Sequence, residues 1–527
     1  MKKILITDSV DPKCVDILTS GGFEVNYKPG MKNDQIVKVI GLYHGLIVRS
    51  DTKVTADLIQ DMDQIEVIGR AGSGVDNIDI DAATRKGIIV LNTPSGNTIS
   101  TAEHTMSLML SMCRNIPQAD ASIKSGKWER KKFQGTELFG KVLGVIGLGK
   151  IGREVANRAQ AFGMSIMGYD PVLSELAAEK MNIELVDLKK LFENSDIITV
   201  HVPYNEDTHH LVSEETLSIC KDGVKIINCA RGGIVDEVAL LNALESGKVS
   251  AAAFDVYEQE PPEFSSALIQ HPKVVTTPHL GASTEEAQEK VAIQIAEAVV
   301  DLFKDKIVRG AVNASAIELI GNKELVPYVK LAESIGSVHA QLKKEKIKKI
   351  SISYSGELVS TSNGLLLSAF LKGYLSKLIP DSVNLVNSTL LAKELGLLIE
   401  EKISGENSDY KNLLAITISS DKAEYSLSGT VFGSNDIRVV SMNNFKIEFK
   451  PEGNLLFYSN IDKLGVLATV GKILAENDIN IAGLSLGRKG LGEEAITVIN
   501  VDSIITRVVV SKISSISGVN NVYAVKI

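Results

Sequence analysis

Three polar side chains stand where apolar, strand-like runs give out: Arg231 after VKIINCA, Glu260 in the loop DVYEQEPP that follows AAAFDVY, and His279 after VVTTP. A guanidinium cannot shed its proton, so at the end of a buried strand it requires an anionic or strongly polar partner. An imidazole titrates near neutral pH and can take a proton from a hydroxyl; a carboxylate on its other ring nitrogen orients it and favours its charged form as the proton arrives. Together the three residues suit a small hydroxy acid, held by its charge and deprotonated at its hydroxyl. Each alone also has a plainer reading: Arg231 bridging a neighbouring loop, Glu260 capping a helix, His279 a satisfied polar residue beside Pro278.

A second signal lies upstream. KVLGVIGLGKIGREVA carries Gly147, Gly149 and Gly152 as G-x-G-x-x-G between a strand-like and a helical run, and Asp170 ends the next strand, SIMGYD. Glycines let the backbone approach a pyrophosphate, the helix N-terminus stabilises its charge, and a carboxylate about 20 residues on accepts from ribose hydroxyls. A second negative charge beside Asp170 would be repelled, which favours NAD over NADP. The alternative is that the glycines serve tight turns alone. A dinucleotide beside Arg231, Glu260 and His279 points to hydride transfer at a hydroxyl-bearing carbon. Metal chemistry is not indicated, because Cys14, Cys113, Cys220 and Cys229 are widely spaced, without a C-x-x-C or a histidine at a zinc-like interval, and read as buried free thiols.

These residues must be positioned by parallel sheets. From Lys3 to about Thr93, the strand-like runs KILIT, HGLIVRS, IEVIGRAG and GIIVLN alternate with helical stretches such as VDILTSGG and ADLIQDM. A long helical pattern follows from Ser100 to Gly126, with Pro117 as the expected kink or stop. Six strand-like runs then alternate with helices, KVLGVIGLG, SIMGYD, DIITVHVP, VKIINCA, AAAFDVY and VVTTPHLG, and the helix STEEAQEKVAIQIAEAVVDLFKDK closes this half. Beyond Gly310, helical segments mix with the strands KKISISYSG, NLLAITISS, YSLSGTVFG and FKIEFK, and KKEKIKK reads as a solvated helix end. The last part reads β-α-β-β-α-β, the ferredoxin-like order, with a sheet edge expected to pair with a second copy.

At 527 residues, two to four domains are expected. The formal charge of −9 argues against a general binder of nucleic acid or acidic membranes, so an anionic ligand must be held by a few placed cations. The run MKKILITD reaches Asp8 too early for a signal-peptide core and no later run approaches a membrane span, so the cytoplasm is the expected compartment.

On GRAGSGVDNIDIDAATRKGIIVLNTP, GKWERKKFQGTEL, GLGKIGREVA, NCARGGIVDE, DVYEQEPP and PHLGAST, with NLVNSTLLAKELG, GTVFG and NIAGLSLGR in the tail, the chain resembles the D-2-hydroxyacid dehydrogenase family in its long form. The resemblance implies an α/β fold with two doubly wound parallel-sheet domains. A flavodoxin-like substrate domain would occupy 1–95 plus 287–308 and a Rossmann NAD domain 96–286, followed by an α+β intervening domain over 309–448 and a ferredoxin-like ACT domain over 449–527. It also implies NAD-dependent oxidation of 3-phospho-D-glycerate to 3-phosphohydroxypyruvate, the first step of L-serine biosynthesis. Alternatives are a glyoxylate or hydroxypyruvate reductase, and a non-catalytic dinucleotide-sensing protein.

By the same resemblance, Arg231 binds substrate, Glu260 orients and His279 is the acid/base. Cofactor contacts fall on Ser73, Lys150, Ile151, Asp170, Val202, Cys229, Ala230, Asp255, Leu280, Gly281 and Ala282 beside the three glycines, and Arg49, Ser50, Arg70, Gly72 and Asn97 face the substrate. A phosphorylated acid needs several cations, which Arg49 and Arg70 supply. GKWERKKF resembles a stretch that crosses a dimer interface, where Arg130, Lys131 or Lys132 would add charge to a partner's site. In the ACT-like tail, Asp462 and Asn480 match polar positions of a serine effector site between paired copies, with Asp462-Lys463-Leu464-Gly465 where the family has aspartate-x-proline-glycine. A homo-oligomer, dimer or tetramer, is expected.

Overall fold

The computed structural model describes residues 1–527 except 306, 315–321, 343–346, 381 and 405–408, so most of the KKEKIKK segment lies outside the described residues. Near-continuous apolar runs build the first sheet, with β3 (Gly45–Val48) buried along its whole length, as expected of a strand covered on both faces. With β1 (Lys3–Ile6), β2 (Glu24–Tyr27), β4 (Val67–Arg70) and β5 (Ile89–Leu91) it forms a parallel sheet in the order β2-β1-β3-β4-β5. The helix Glu285–Asp305 returns to this unit and packs Val291, Ile295 and Val299 against Ile4, Ile6, Val67 and Leu91.

The second sheet has seven parallel strands: β6 (Val142–Ile146), β7 (Ser165–Tyr169), β8 (Glu184–Leu185), β9 (Ile197–Val200), β10 (Val224–Asn228), β11 (Val249–Phe254) and β12 (Val274–Thr276). Their order is β12-β11-β10-β9-β6-β7-β8. One face packs on the helices Thr98–Arg114 and Lys150–Ala161, the other on Leu188–Asn194, Glu214–Ile219 and Glu237–Ser246. Strand order reverses between β1 and β3 in the first sheet and between β6 and β9 in the second, which opens a crevice at the carboxyl ends of each.

The structure corrects the sequence reading at several elements. Edge strands β2 and β8 were not anticipated, because neither carries a fully buried residue and β8 spans only two. The helical pattern from Ser100 breaks at Asn115, which is left-handed at φ 52°, and not at Pro117. Pro117 instead lies in the first turn of the next helix, where its missing N–H costs nothing.

In the C-terminal half, β13 (Lys349–Ser355), β14 (Leu398–Ser404), β15 (Leu413–Ser419), β16 (Glu424–Phe432), β17 (Asp436–Met442) and β18 (Phe445–Phe449) form a sheet in the order β14-β13-β15-β16-β17-β18. β14 and β17 were missed: LIEEKIS is an exposed edge, and β17 is joined to β18 by a two-residue turn at Asn443 and Asn444, both with positive φ. The last sheet comprises β19 (Asn454–Ile461), β20 (Ile481–Arg488), β21 (Glu494–Val501) and β22 (Val519–Lys526), ordered β20-β21-β19-β22. With the helices Val466–Ala475 and Arg507–Ser514 on one face, this is the expected ferredoxin-like unit. Its other face contributes Leu455, Phe457, Ile496, Val498 and Val525 to the core of the neighbouring sheet, so the two C-terminal units share one apolar interior. That pair is fastened to the first unit: Leu385 and Val386 enter its core, and Asn384 Nδ2 donates to Gly87 O at 2.8 Å.

Candidate functional site

Residues from both parallel sheets meet in a cavity of about 420 Å³ lined by Ser73, Asn97, Ile151, Val202, Cys229, Ala230, Arg231, Asp255, His279, Gly281 and Ala282, together with Gly74, Asp76, Thr101 and Tyr204. The glycine loop after β6 is shaped for close approach. A Cβ on Gly152 would lie 2.0 Å from Gly147 O, whereas one on Gly149 would meet nothing within 4 Å, leaving open space in front of the helix Lys150–Ala161. No side chain caps that helix, so its first amides are available to an anion. Asp170, just past β7, accepts from Leu148 N at 2.9 Å and from Val172 N and Leu173 N. Its carboxylate is thereby held beside the glycine loop with acceptor capacity to spare. These residues fit a dinucleotide.

His279 adopts φ 55°, a left-handed conformation that costs a non-glycine residue about 1–2 kcal/mol. Its amide donates to Asp255 O at 2.9 Å, and Nδ1 lies 2.8 Å from Glu260 Oε2. Glu260 Oε1 accepts from Tyr257 N at 3.2 Å. Burial acts to raise the Glu260 pKa, but the His279 hydrogen bond and charge, the Tyr257 amide and Arg231 outweigh it and hold the carboxyl below its ordinary range. With Nδ1 engaged, Nε2 is the ring nitrogen left for a reacting hydroxyl. Leu280 N and Gly281 N both donate to the buried carboxylate of Asp255, at 2.7 and 2.8 Å.

Arg231 Nε donates to Asp76 Oδ2 at 2.9 Å and Nη1 to Ala230 O at 2.6 Å. A Cβ on Gly74 would lie 1.9 Å from Arg231 Nη2, so only glycine lets the guanidinium lie there. Gly72 is occupied in the same way by Arg70 Nη1. Arg70 has its pKa pushed down to about 10, first by burial and then by the like charges of Arg231 and Arg49, against the opposing pull of Asp76 and Asp8. Its Nε is buried and without a hydrogen-bond partner. An anion among these guanidiniums would relieve both costs.

Not every expected residue lines this cavity. Arg49 borders an adjoining opening with Asp11, Ser283, Thr284 and Gln288, and Ser50 is exposed with its hydroxyl on Asp51 Oδ1 at 3.2 Å. Lys150 Nζ reaches Ser95 Oγ across the cleft. Asp462 pairs with Arg488 at 3.2 Å, whereas Asn480 Nδ2 donates to Asp502 Oδ2 at 2.7 Å. These two lie at opposite ends of the eight-residue β20, about 23 Å apart, and do not converge within one chain.

Supporting residues escaped the sequence reading. Asp8 accepts from Arg49 N at 2.6 Å and Thr52 N at 3.2 Å, and Asn77 Nδ2 donates to Arg49 O and Thr52 O, both at 2.7 Å. Asp8 and Asn77 therefore shape the loop that presents Arg49. Asp76 stands within the quoted GVDNID run, which was the one available hint.

Comparison with known proteins finds relatives along the whole chain. Residues 106–281 match the NAD binding domain of D-isomer specific 2-hydroxyacid dehydrogenases, 324–443 the D-3-phosphoglycerate dehydrogenase intervening domain, and 454–518 the ACT domain. D-3-phosphoglycerate dehydrogenase of Archaeoglobus fulgidus is 44% identical over 93% of this chain and 92% of its own. That of Methanocaldococcus jannaschii is 41% identical over 100% of both chains. Among solved structures, a glyoxylate reductase from Paecilomyes thermophila is similar with TM-score 0.55 and 29% identity, covering 59% of this chain and 98% of its own. Aquifex aeolicus D-lactate dehydrogenase complexed with NAD and lactic acid gives 0.52 and 29%, covering 57% and 95%. The chain thus continues beyond these shorter enzymes into the intervening and ACT domains, and with that full-length agreement it belongs to the D-3-phosphoglycerate dehydrogenase family of NAD-dependent oxidoreductases.

Proposed function

We propose that the chain oxidises 3-phospho-D-glycerate to 3-phosphohydroxypyruvate with NAD, the first step of L-serine biosynthesis, using His279 as base, Glu260 as its orienting partner and Arg231 as the substrate clamp. The observation that carries this reading is the convergence of Arg49, Arg70 and Arg231, with Arg70 half-buried and its pKa lowered by desolvation and by the like charges of the other two, next to the His279–Glu260 pair. A doubly charged phosphate and a carboxylate on one small molecule match that many cations; a plain 2-hydroxy acid brings one anionic group to three guanidiniums.

Bound NAD supplies the hydride acceptor. Arg231 grips the substrate carboxylate or hydroxyl oxygen and Arg49 and Arg70 would face its phosphate, with Asn97 in the cavity lining and Ser50 and Gly72 assigned to the same side as neighbours of those two arginines in sequence. His279 Nε2 takes the hydroxyl proton, and Glu260, ionised, stabilises the imidazolium through Nδ1. On the cofactor side, the glycine loop and Lys150 would face the pyrophosphate and Asp170 the ribose, with Ser73, Ile151, Val202, Cys229, Ala230, Asp255 and the Leu280–Ala282 turn around the ring. We assign the substrate domain to 1–95 plus 287–308, the NAD domain to 96–286, the intervening domain to 309–448 and the ACT domain to 449–527.

Steady-state turnover tests this reading. With NAD, 3-phosphoglycerate should be oxidised with a kcat/KM at least ~100-fold above that of unphosphorylated glycerate, and Arg70→Ala should erase most of that ratio, because it removes a charge-assisted contact of roughly 1.5–3 kcal/mol from one substrate only. Equal turnover of both acids would favour the glyoxylate or hydroxypyruvate reductase reading, for which the similarity to the glyoxylate reductase from Paecilomyes thermophila is the specific support. NADH binding with no turnover would return the non-catalytic sensor.

The assembly we infer is a homo-oligomer in the cytoplasm. Among the described residues, no helix is long and apolar enough to cross a membrane. Trp128 is 78% exposed beside the basic turn Arg130–Phe133, a surface suited to a partner copy that Arg130, Lys131 or Lys132 would reach. At the other end, β20 is the outer strand of its sheet and carries Leu484 and Leu486, each 43% exposed. Antiparallel pairing of two copies there would bring Asp462 of one toward Asn480 of the other and make a serine site that neither has alone. Millimolar serine should lower the rate in the wild type and fail to do so in Asn480→Ala; an unchanged wild-type rate would remove the effector from this account.

A further inference from the structure

The turn Thr277–Gly281 carries His279 in a left-handed conformation, and several of its donors converge on a single carboxylate. Asp255, only 1% exposed, accepts from Leu280 N, Gly281 N, Thr277 Oγ1 at 2.6 Å and His104 Nε2 at 3.1 Å. Its backbone carbonyl accepts the His279 amide as well. Three of the carboxylate's four donors belong to the turn itself. The fourth, His104, comes from the helix Thr98–Arg114, 151 residues away in sequence.

His104 Nε2 also lies 3.1 Å from Thr277 Oγ1, whose own proton is directed to Asp255. Both partners of Nε2 therefore act as acceptors, so that nitrogen carries the proton and the imidazole is a donor. One turn earlier on the same helix, Thr101 Oγ1 donates to Gly281 O at 3.1 Å, and Ser100 and Thr284 share a hydrogen bond of 2.7 Å. Residues three apart on a helix share a face, so Thr101 and His104 present one edge to the turn. Strained backbone persists only where its surroundings over-determine it. Here the over-determination comes from this hydrogen-bonded edge, with His104 acting through Asp255 and Thr101 directly on Gly281 O.

We propose that His104 is a positioning residue for the reaction: its Nε2–H fixes Asp255 and Thr277, and through them the left-handed turn that aims His279 at the substrate hydroxyl. The proposal rests on the reading of His279 as the base. It assigns His104 no contact with substrate or cofactor, so its loss acts on the placement of another side chain, and a misplacement of about 1 Å near the reacting atoms can cost about 100-fold in rate.

The test compares His104→Leu, which keeps much of the volume and removes the donor, with His104→Gln, whose amide nitrogen can occupy the position of Nε2. In the protein without ligands, His104→Leu should speed amide exchange at Leu280 and Gly281 by roughly tenfold, and His104→Gln should leave it within about threefold. In turnover with 3-phosphoglycerate and NAD, the leucine variant should lose about 10–100-fold in kcat with little change in KM, and glutamine should restore most of it. Glutamine as damaging as leucine, or unchanged exchange in the leucine variant, would overturn the proposal. If His104→Leu does not fold, Thr277→Val, which removes the turn's hydroxyl, takes its place against His104→Gln with the same two outcomes. The exchange readout needs no substrate, so failure of the wild type to oxidise 3-phosphoglycerate would count against the proposed function and leave this inference to be decided by exchange.

Discussion

His279→Ala lowers kcat for 3-phosphoglycerate oxidation by about 10²–10⁴-fold, the usual contribution of a positioned general base, while NADH binding stays within about threefold. The split follows from the geometry. The His279 side chain is 48% exposed and its ring is engaged through Nδ1 by Glu260 alone, so its removal leaves the glycine loop and Asp170 untouched. Glu260→Gln should cost less than His279→Ala but at least ~10-fold, because a neutral amide can still bond the ring and cannot stabilise its charge. The carboxyl pKa of Glu260 is lowered from 4.5 in the folded protein, so its contribution to stability is fully present above about pH 4.5 and is lost as pH falls through the lower folded value. Denaturant melts of wild type and Glu260→Gln should accordingly converge in acid. Stopped-flow turnover and NADH fluorescence titration check the first result; a His279→Ala enzyme with normal kcat removes the proton-transfer assignment.

The second large effect belongs to Arg231. Its Nε and one Nη1 proton are taken by Asp76 and Ala230 O, so two of the five guanidinium donors are used and the others are left for a ligand. Two charge-assisted bonds to a substrate carboxylate at about 1.5–3 kcal/mol each put the loss in Arg231→Ala near 10²–10⁴-fold in kcat/KM. Arg231→Lys should recover little of it, because an ammonium cannot both hold Asp76 through a fixed planar fork and present parallel donors. Arg231→Ala, unlike Arg231→Lys, also removes a like charge from beside Arg70. Loss should therefore appear in kcat/KM for the phosphorylated and the plain acid alike, in contrast to Arg70→Ala, whose effect depends on the phosphate. Initial-rate measurements with both acids separate the two arginines, and an Arg231→Ala enzyme with wild-type kcat/KM takes Arg231 out of the substrate site.

Local physics made much of this molecule legible in one dimension. Continuous apolar runs such as GLIV and VLGVI are the signature of strands buried on both faces, and Gly147, Gly149 and Gly152 with Asp170 mark a strand-turn-helix whose requirements are set within about two dozen residues. Arg231 stood out because charge at the end of an apolar strand is costly without a partner, and Glu260 and His279 because they follow strands of the same sheet, where ligands gather. The elements that escaped were those without such a signature: short half-exposed edges like β2 and β8, and β17 behind its tight hairpin.

Tertiary structure alone decided the support of the site. Asp8 meets Arg49 at a separation of 41 residues, Asp76 meets Arg231 at 155, and His104 meets Asp255 at 151. A lone polar residue reads as a cap, a turn or a solvated face until the fold supplies its partner, because hydrogen bonds act over about 3 Å and leave no periodicity along the chain. The shared interior of the two C-terminal sheets, and the desolvation and like charges that lower the Arg70 pKa, arise likewise from surfaces brought together only on folding. Sequence determined which side chains carry the chemistry; packing determined how each is held, since orientation is a property of neighbours in space.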